Sequence, residues 1–422
     1  MKNILKTYIP NKLQDIFIFI RYIIFRYIIN KNINRIYLSE NVKIKLVDNS
    51  GNVTFFGYYN ITPQNKINVL YLSTKRESLR ESVNEPCKIK LYDFKTNHSV
   101  AIETTKSWNW QQGSMAQWCN YSSQDCIIFN DYCKIKDAYY SKIIQANGNL
   151  IRKFQKPVYS VNSKKNIALT LNFDRLTKLR PDYGYFNKKN IVLPNNNNDG
   201  IWLIDLLSGK DKLLLTLEDL VELSPTKSME GAIHKVNHID INQCGERFIF
   251  LHRWISKHGR FTRLLSANVD GSEVSILNGD KMTSHCCWLD NHFILAYCTV
   301  EEKGTGYFKI EDSTADKKLF SENMPKRDGH PSISPDKQWI ITDTYPDLSR
   351  FSNLYLYSLK KDELILIGKF YQSLKYRKEM RIDLHPKWSP DGNSIFIESG
   401  HLGKRSLFAI NVKNIVNDEI IC

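Results

Sequence analysis

The chain has 422 residues, of which 42% are hydrophobic and 12% aromatic, so it can bury a large core and its composition favours strands over long helices. Its nine cysteines are odd in number and form no CxxC pair, which argues against a disulfide framework or a thiolate zinc site and favours a reducing, cytoplasmic location. The net charge of +15 favours a polyanionic partner.

The first predicted element is a basic and aromatic extension over residues 1–48. Its apolar stretch 16–29 (IFIFIRYIIFRYII) predicts a helix. Arg21 and Arg26 interrupt the stretch, so neither a membrane-spanning helix nor a signal peptide is indicated. The helix could pack along the rest of the protein, which we favour, or lie on an anionic membrane surface as a peripheral contact.

From residue 49 to residue 422 the chain repeats one unit, which consists of a turn, an apolar strand, a polar loop and a closing strand. The unit recurs roughly every 40 to 55 residues, a period typical of propeller blades. The seven closing strands are 89–93 (IKLYD), 140–145 (YSKIIQ), 201–205 (IWLID), 263–268 (RLLSAN), 307–311 (YFKIE), 354–358 (LYLYS) and 407–411 (LFAIN). The sequence therefore predicts an all-β fold, a seven-bladed β-propeller with a short helical extension at its N-terminus.

Four histidines occupy the same place in successive units, the start of a blade's inner strand. They are His238 (VNHIDIN), His285 (TSHCCWL), His330 (DGHPSIS) and His385 (DLHPKWS). Because inner strands line the central channel, we expect the four imidazoles to converge. Converging imidazoles beside a carboxylate such as Asp328 or Asp383 suit a divalent metal such as manganese, zinc or nickel. The alternative is that each histidine caps a strand, and the sequence favours neither interpretation.

A cluster of tryptophans and amides indicates a second candidate region, at 107–113 (SWNWQQG). Its candidate substrate-binding residues are Trp108, Asn109, Trp110, Gln111 and Gln112. Tryptophan faces beside amides suit the stacking and hydrogen bonding of a sugar ring, although the tryptophans could equally act as wedges between blades.

Two further segments offer polar side chains to the same end of the channel. His252 and Arg253 come near the end of a predicted strand and are candidate substrate ligands. The irregular insertion 172–185 (NFDRLTKLRPDYGY) contains Tyr183 and also Arg180, which could bind a carboxylate through two hydrogen bonds or be a solvated surface residue. The chain has no Gly-rich phosphate loop, GxSxG elbow or HExxH helix, which argues against nucleotide-driven, serine hydrolase and zincin chemistry.

The Ser-Pro-Asp turns at 334–336 and 389–391 resemble those of TolB-like, WD40-like propellers. Together with the blade-entry histidines, they make the chain resemble the oligogalacturonate lyases and, more loosely, the ulvan lyases. This resemblance implies metal-assisted β-elimination on an acidic, uronate-containing oligosaccharide. It implies His285, His330 and His385 as ligands of manganese or zinc and His238 as the base. The metal or Arg180 would then neutralise the uronate carboxylate, and Tyr183 is the alternative base.

The competing function is that of a non-catalytic propeller that binds polysaccharide or a protein partner. Stretches such as WNWQQG and HPKWSPDG also resemble bacterial TolB-like propellers associated with surface polysaccharide. In that case the histidines would be structural and no metal would bind. Nucleic acid ranks last as a partner because no recognition motif accompanies the positive charge. We expect a monomer.

Overall fold

Seven antiparallel sheets, each of them one blade, make up the described part of the chain. The structure is a computed structural model that describes residues 11–29, 34–40, 42–75, 77, 85–279 and 281–417. The predicted all-β, seven-bladed propeller is confirmed, and the seven closing strands predicted from the repeat are the third strands of the seven blades.

Blades 1 to 5 each take four consecutive strands, counted from the central channel outward. Blade 1 contains Val53–Phe55, Asn68–Thr74, Cys87–Asp93 and His98–Thr105, and blade 2 contains Gln117–Tyr121, Gln124–Cys133, Ala138–Gln145 and Leu150–Phe154. Blade 3 contains Ser160–Asn162, Ile167–Leu171, Gly200–Asp205 and Asp211–Thr216, and blade 4 contains Ile233–Ile241, Arg247–Ser256, Gly259–Asn268 and Ser275–Asn278. Blade 5 contains Thr283–Trp288, Phe293–Val300, Gly304–Glu311 and Lys317–Leu319.

Blades 6 and 7 are completed by strands from the N-terminal part of the chain. Blade 6 contains Ser332–Ile333, Trp339–Asp343, Phe351–Ser358 and Glu363–Tyr371, and blade 7 contains Lys387–Trp388, Ser394–Ser399 and Ser406–Asn411. Ile36–Leu38 adds a fifth strand to blade 6, and Lys43–Leu46 is the fourth strand of blade 7, paired with Ser406–Asn411. This pairing closes the ring of blades with both ends of the chain. The sheets therefore begin at residue 36, ahead of the boundary predicted at residue 49.

The second strands of the blades contribute continuous buried runs to the core. Trp339–Asp343, for example, is buried at every position, and the longer second strands of blades 2 and 4 are buried along their middle and more exposed at their ends. A strand covered on both faces by neighbouring blades is expected to carry a continuous apolar run rather than an alternating one. The apolar side chains of the runs IIFN, RFIFLH and WIITD therefore pack against the neighbouring blade on each face of the sheet.

Helices are few, and the N-terminal helix confirms the predicted helical extension. It spans Asn11–Ile23 and continues as a π-helical turn over Ile24–Ile29. The other helices are Phe173–Leu179, Leu217–Leu223 and Lys413–Asn417, with short 3-10 turns at Pro181–Tyr183, Asn196–Asn198, Lys227–Met229 and Lys378–Met380. Among the residues that the structure describes, no helix is long and apolar enough to cross a membrane.

Candidate functional site

The four blade-entry histidines lie together at the end of the channel where the first strands begin. His238 and His285 are in the first strands of blades 4 and 5, and His330 and His385 directly precede those of blades 6 and 7. The ring centroids are 5.8 Å apart between His238 and His285, 4.1 Å between His285 and His330, and 4.4 Å between His330 and His385. All four side chains are buried. We call this set the histidine ring.

Two members of the histidine ring have an unusual backbone. His238 has a φ of 54° and His385 a φ of 44°, both in the left-handed region. The strand pairing around His238 is also irregular, with a register shift between Asn237 and Asp240. A bulge re-aims a side chain, and a non-glycine residue in the left-handed region costs of order 1–3 kcal/mol that the surrounding structure must offset. Such strain concentrates at functional sites.

Two carboxylates, the buried Asp343 and the half-buried Asp328, orient two of the imidazoles. The Nδ1 atom of His330 is 2.8 Å from Asp343 Oδ1, and the Nδ1 atom of His285 is 3.0 Å from Asp328 Oδ1. Burial lowers the pKa of His330, but the carboxylates of Asp343, Asp383 and Asp328 together outweigh this effect and the pKa is raised overall. For His285 burial prevails and the pKa is lowered. A carboxylate on Nδ1 fixes the tautomer of a metal-binding histidine and directs Nε2 to the ligand.

The atoms that could hold a metal ion are those of His330, Asp383 and His385. One ligand atom from each of these three residues lies within 4.8 Å of the others. His330 Nε2, both ring nitrogens of His385 and Asp383 Oδ1 are buried without a hydrogen-bond partner. Burying so many unpaired polar atoms side by side is unfavourable unless a ligand completes them. Two imidazoles and a carboxylate suit manganese or zinc. The residues present therefore fit a divalent metal.

This donor set differs in one residue from the set that the sequence suggested. Asp383, which the sequence offered as a carboxylate that could orient or complete the set, is a member, and His285 is not. The Nδ1 of His285 is engaged by Asp328 in the same way as His330 by Asp343, so its role as a ligand stays a prediction. Asp383 lies two residues before His385, so it reaches the same centre from the loop that leads into blade 7.

The fourth imidazole, His238, lies among tyrosines. Its Nε2 is 3.3 Å from the hydroxyl of Tyr58, and its ring centroid is 5.6 Å from that of Tyr183. Burial, reinforced by the positive charge of Arg253, lowers the pKa of His238 well below its usual value. His238 is therefore neutral at pH 7, and its Nδ1 is buried with no hydrogen-bond partner. A neutral imidazole with a free nitrogen is competent to accept a proton.

Cationic side chains surround this part of the site. Arg180 lies over the ring of Tyr183, with 5.0 Å between its guanidinium carbon and the ring centroid. Arg253 contributes to the low pKa of His238, and its Nε has no hydrogen-bond partner. Burial, followed by the charge of Arg253, lowers the pKa of Lys235 to about 7. Arg180, Tyr183 and Arg253, all predicted site residues, thus lie beside the predicted base.

A fourth cation, Arg381, links this cationic group to the metal-ligand candidates. Its Nε donates to Asp383 Oδ2 at 2.6 Å and its Nη1 to Asp182 Oδ2 at 2.6 Å. Asp182 also pairs with Arg180 at 3.3 Å. The guanidiniums of Arg180, Arg253 and Arg381 thus lie on this side of the site, where they could bind an anionic ligand.

His252 does not reach the histidine ring, in contrast to the prediction. Its Nε2 is 2.9 Å from Nδ1 of His234, and Nε of Arg263 donates to its Nδ1 at 3.1 Å. Successive side chains of a strand point to opposite faces, so His252 and Arg253 cannot both face the channel end. Arg253 faces it and His252 packs inside blade 4.

The tryptophans and amides at 108–112 are buried rather than presented to a ligand. Trp108 and Trp110 pack on Phe55 with ring centroids 5.5 and 5.2 Å away, which corresponds to the wedge interpretation and not to sugar stacking. Asn109 accepts hydrogen bonds from the backbone of its own turn. The two tryptophans therefore have a packing role, and substrate binding by the amides of this segment stays a prediction.

Two amides of the same segment support the candidate site from behind. Gln111 Nε2 donates to the backbone oxygen of Arg381 at 2.8 Å. Gln112 Nε2 donates to the hydroxyl of Tyr159 at 2.8 Å, and that hydroxyl also accepts from the backbone N–H of His238 at 3.2 Å.

Sequence reasoning missed Asp343, Tyr58, Lys235 and Arg381. Asp343 ends the second strand of blade 6 (WIITD), where an aspartate reads as a turn residue. Tyr58 follows the first strand of blade 1, close to the place that the histidines take in blades 4 to 7, and this repeat position is the signal that could have found it.

Comparison with known proteins supports the architecture. No protein-family model matches the sequence, and no curated protein matches it either. Among solved structures, the chain is similar to an oligogalacturonate lyase in complex with manganese, with a TM-score of 0.61 and 13% identity over 89% of this chain and 95% of that one. It is also similar to an oligogalacturonate lyase from Vibrio parahaemolyticus, with a TM-score of 0.60 and 12% identity over 89% of this chain and 96% of that one. The shared feature is the propeller fold. The predicted resemblance is confirmed at that level.

Proposed function

We propose that this protein is a polysaccharide lyase that cleaves acidic, uronate-containing oligosaccharides by metal-assisted β-elimination. The observation that carries the proposal is the group of buried, unpartnered ligand atoms of His330, Asp383 and His385 next to the neutral His238, whose Nδ1 has no hydrogen-bond partner. The similarity of the fold to a lyase in complex with manganese supports it.

His330, Asp383 and His385 would hold the metal. When bound, a divalent ion supplies Lewis-acid stabilisation of negative charge that develops on a carboxylate oxygen. Asp343 keeps His330 oriented through Nδ1, and Arg381 keeps Asp383 in place through Oδ2. These two contacts pre-organise the donors before a ligand arrives.

The cations recognise the substrate carboxylate. Arg180 and Arg253 lie beside His238 and Tyr183, so a C6 carboxylate bound by the two guanidiniums would place C5 of the uronate near His238. Neutralising the carboxylate lowers the pKa of the proton on C5, and removal of this proton is the main barrier to elimination.

The proton transfers fall to His238 and a tyrosine. With Nε2–H donating to the Tyr58 hydroxyl, Nδ1 of His238 keeps its lone pair and takes the C5 proton. The electrons of the C5–H bond form the C4–C5 double bond, the C4–O4 bond breaks, and O4 receives a proton from the hydroxyl of Tyr183. The products are an unsaturated uronate and a shortened oligosaccharide.

The test combines a metal titration with the ultraviolet absorbance of the unsaturated product, on a panel of acidic oligosaccharides with and without chelator. We expect chelator-sensitive product formation and one bound metal per chain. His330→Ala and His385→Ala should lose both. His401→Ala is the matched control, because His401 is a buried histidine of blade 7 that bonds Ser399 at 2.9 Å outside the ring.

Two results would count against the proposal. If wild type binds no manganese or zinc and forms no product, the protein is better described as a non-catalytic binding propeller. If product forms equally well in His330→Ala, His385→Ala and wild type, elimination takes place without this donor set.

A further inference from the structure

The N-terminal helix exposes a row of large apolar side chains. Leu13, Phe17, Ile20 and Ile24 are spaced four, three and four residues apart, so they share one face of the helix. Phe17 is 75% exposed and Ile28, one turn beyond Ile24, is 63% exposed. A helix that is apolar on its outward face as well as its inward one needs a further apolar environment.

The inward face of the helix already has its partner. The Tyr22 hydroxyl is 2.7 Å from the hydroxyl of Tyr371 in blade 6, and the Arg26 guanidinium lies 3.7 Å from the Tyr371 ring centroid. Asp15 pairs with Arg377 at 3.1 Å. The helix is thus fixed to blade 6, and its outward face plays no part in that attachment.

The charge around the exposed face is positive. Residues 1–35 contain seven Lys or Arg and a single acidic residue, Asp15, which Arg377 neutralises. Arg21 and Arg35 are exposed, as are Lys375 and Lys378 in the loop that Asp15 contacts. An apolar helical face with basic residues beside it matches the chemistry of an anionic lipid surface, where each nearby Lys or Arg adds about 1 kcal/mol.

We propose that the N-terminal helix docks this propeller onto an anionic lipid bilayer, with the helix lying in the plane of the membrane interface. Leu13, Phe17, Ile20, Ile24 and Ile28 enter the boundary between headgroups and acyl chains, and Arg21 and Arg35 pair with lipid phosphates. The proposal does not depend on the lyase chemistry.

The docked orientation brings the candidate site to the lipid surface. The helix contacts Phe351 and Tyr371, at the ends of blade 6 strands that lie on the same side as the histidine ring. The loop 372–386 carries Arg377, which pairs with the helix, as well as Arg381 and Asp383 of the site. A substrate displayed at a membrane surface would therefore meet the end of the channel that carries the histidine ring.

The test is co-sedimentation of the full-length protein with vesicles of phosphatidylglycerol and phosphatidylcholine, compared with vesicles of phosphatidylcholine alone. We expect wild type to bind only the anionic vesicles, and to bind them less at high salt. Phe17→Glu/Ile20→Glu should bind these vesicles at least about tenfold more weakly than wild type. The matched control is Ile67→Glu/Leu207→Glu, which alters two side chains that are 57% and 55% exposed in loops at the opposite end of the propeller.

Several outcomes would overturn the proposal. One is that wild type does not bind anionic vesicles. Another is that the two double variants lose vesicle binding to the same extent. A wild-type dimer that Phe17→Glu/Ile20→Glu converts to a monomer, with no vesicle binding, would assign the face to a second copy of the chain instead. Equal unfolding temperatures of the two double variants show that any difference in binding does not come from misfolding.

Discussion

Two groups of buried histidines in this propeller differ in how their ring nitrogens are used. In blade 4, His252 has a partner on both nitrogens, with His234 at 2.9 Å and Arg263 at 3.1 Å. In the histidine ring, His330 Nε2, His238 Nδ1 and both nitrogens of His385 are buried with no hydrogen-bond partner. Burial is the same in both groups, and only the partners differ.

Under the proposed function, this difference separates a structural group from a ligand-binding one. A buried polar atom is normally satisfied within the fold, because leaving it unpaired costs about 1–3 kcal/mol. The histidine ring leaves several buried ring nitrogens unpaired next to each other. The carboxylates of Asp343 and Asp328 orient two of its members. The pair in blade 4 satisfies its atoms internally and has no such cost.

The strongest way to break this comparison is to remove the proposed base. His238→Ala should lower kcat on acidic oligosaccharide by about 10²–10⁴-fold, the usual contribution of general base catalysis. Metal affinity should stay unchanged, because His238 is outside the donor set of His330, Asp383 and His385. Product absorbance gives kcat, and calorimetric titration with manganese gives the affinity.

The corresponding change in the structural pair is His252→Ala. This variant should retain kcat and metal affinity and lose stability, because Arg263 and His234 each lose a buried partner. A loss of kcat in His252→Ala as large as that in His238→Ala would remove the distinction between the two groups.

The hydrogen-bonded pair His234 and His252 in blade 4 should make the free energy of unfolding depend on pH. Burial, followed by the charge of Arg263, lowers the pKa of His234 to about 4 from 6.5. Because the unfolded chain binds a proton on His234 more readily than the folded protein does, protonation of His234 favours unfolding. The contribution of neutral His234 to the free energy of unfolding is therefore complete above pH 6.5 and is lost as the pH falls towards 4. The loss is about 3 kcal/mol, at about 1.4 kcal/mol per pKa unit.

His234→Asn should therefore lose less stability than wild type between pH 6.5 and pH 4, by about that amount. Urea unfolding at several pH values measures it. The exposed His98→Asn is the control and should keep the wild-type slope. An unchanged slope in His234→Asn would show that His234 titrates normally.

The repeat made the histidine ring predictable. Four histidines at one position of successive units must converge if the units are blades, and the strand pattern alone established the blades. The sequence analysis predicted both His252 and Arg253 as substrate ligands, although the alternation of a strand allows only one of them to face the channel end. Which of them does so depends on how the second strand is registered against the bulged first strand, and the sequence does not reveal the bulge between Asn237 and Asp240.

Pairing between distant parts of the chain was beyond the sequence. Lys43–Leu46 pairs with Ser406–Asn411, and a strand of four residues carries too little pattern to identify such a partner. The same holds for Trp108 and Trp110. Their composition suits a sugar or a wedge equally well, and only their burial against Phe55 decides between the two.

A finer test concerns the carboxylate behind the metal ligands. Asp343→Asn should weaken manganese affinity about 10–100-fold, because Asp343 orients His330 Nδ1 at 2.8 Å and also accepts from the backbone N–H of His385 at 3.2 Å. Calorimetric titration measures the change. Asp312→Asn removes another buried carboxylate, which pairs with Arg247. It should leave metal affinity intact, and equal losses in both variants would indicate a general effect of buried charge.

The smallest expected effect tests whether packing behind the site positions the base. The Tyr159 hydroxyl accepts from the backbone N–H of His238 at 3.2 Å and from Gln112 Nε2 at 2.8 Å. Tyr159→Phe leaves both donors unpaired and should cost about 1–3 kcal/mol of stability. Because the left-handed backbone of His238 loses this contact, kcat should also fall, by about three- to tenfold, with KM unchanged.

Tyr185→Phe separates the two consequences. The Tyr185 hydroxyl is equally buried and accepts from Asn130 Nδ2 at 2.9 Å, and its ring stacks on Phe173, away from the histidine ring. It should therefore lose similar stability and keep kcat. If both variants lose kcat in proportion to their stability, Tyr159 acts only on the fold, and the strained backbone of His238 is held by other contacts.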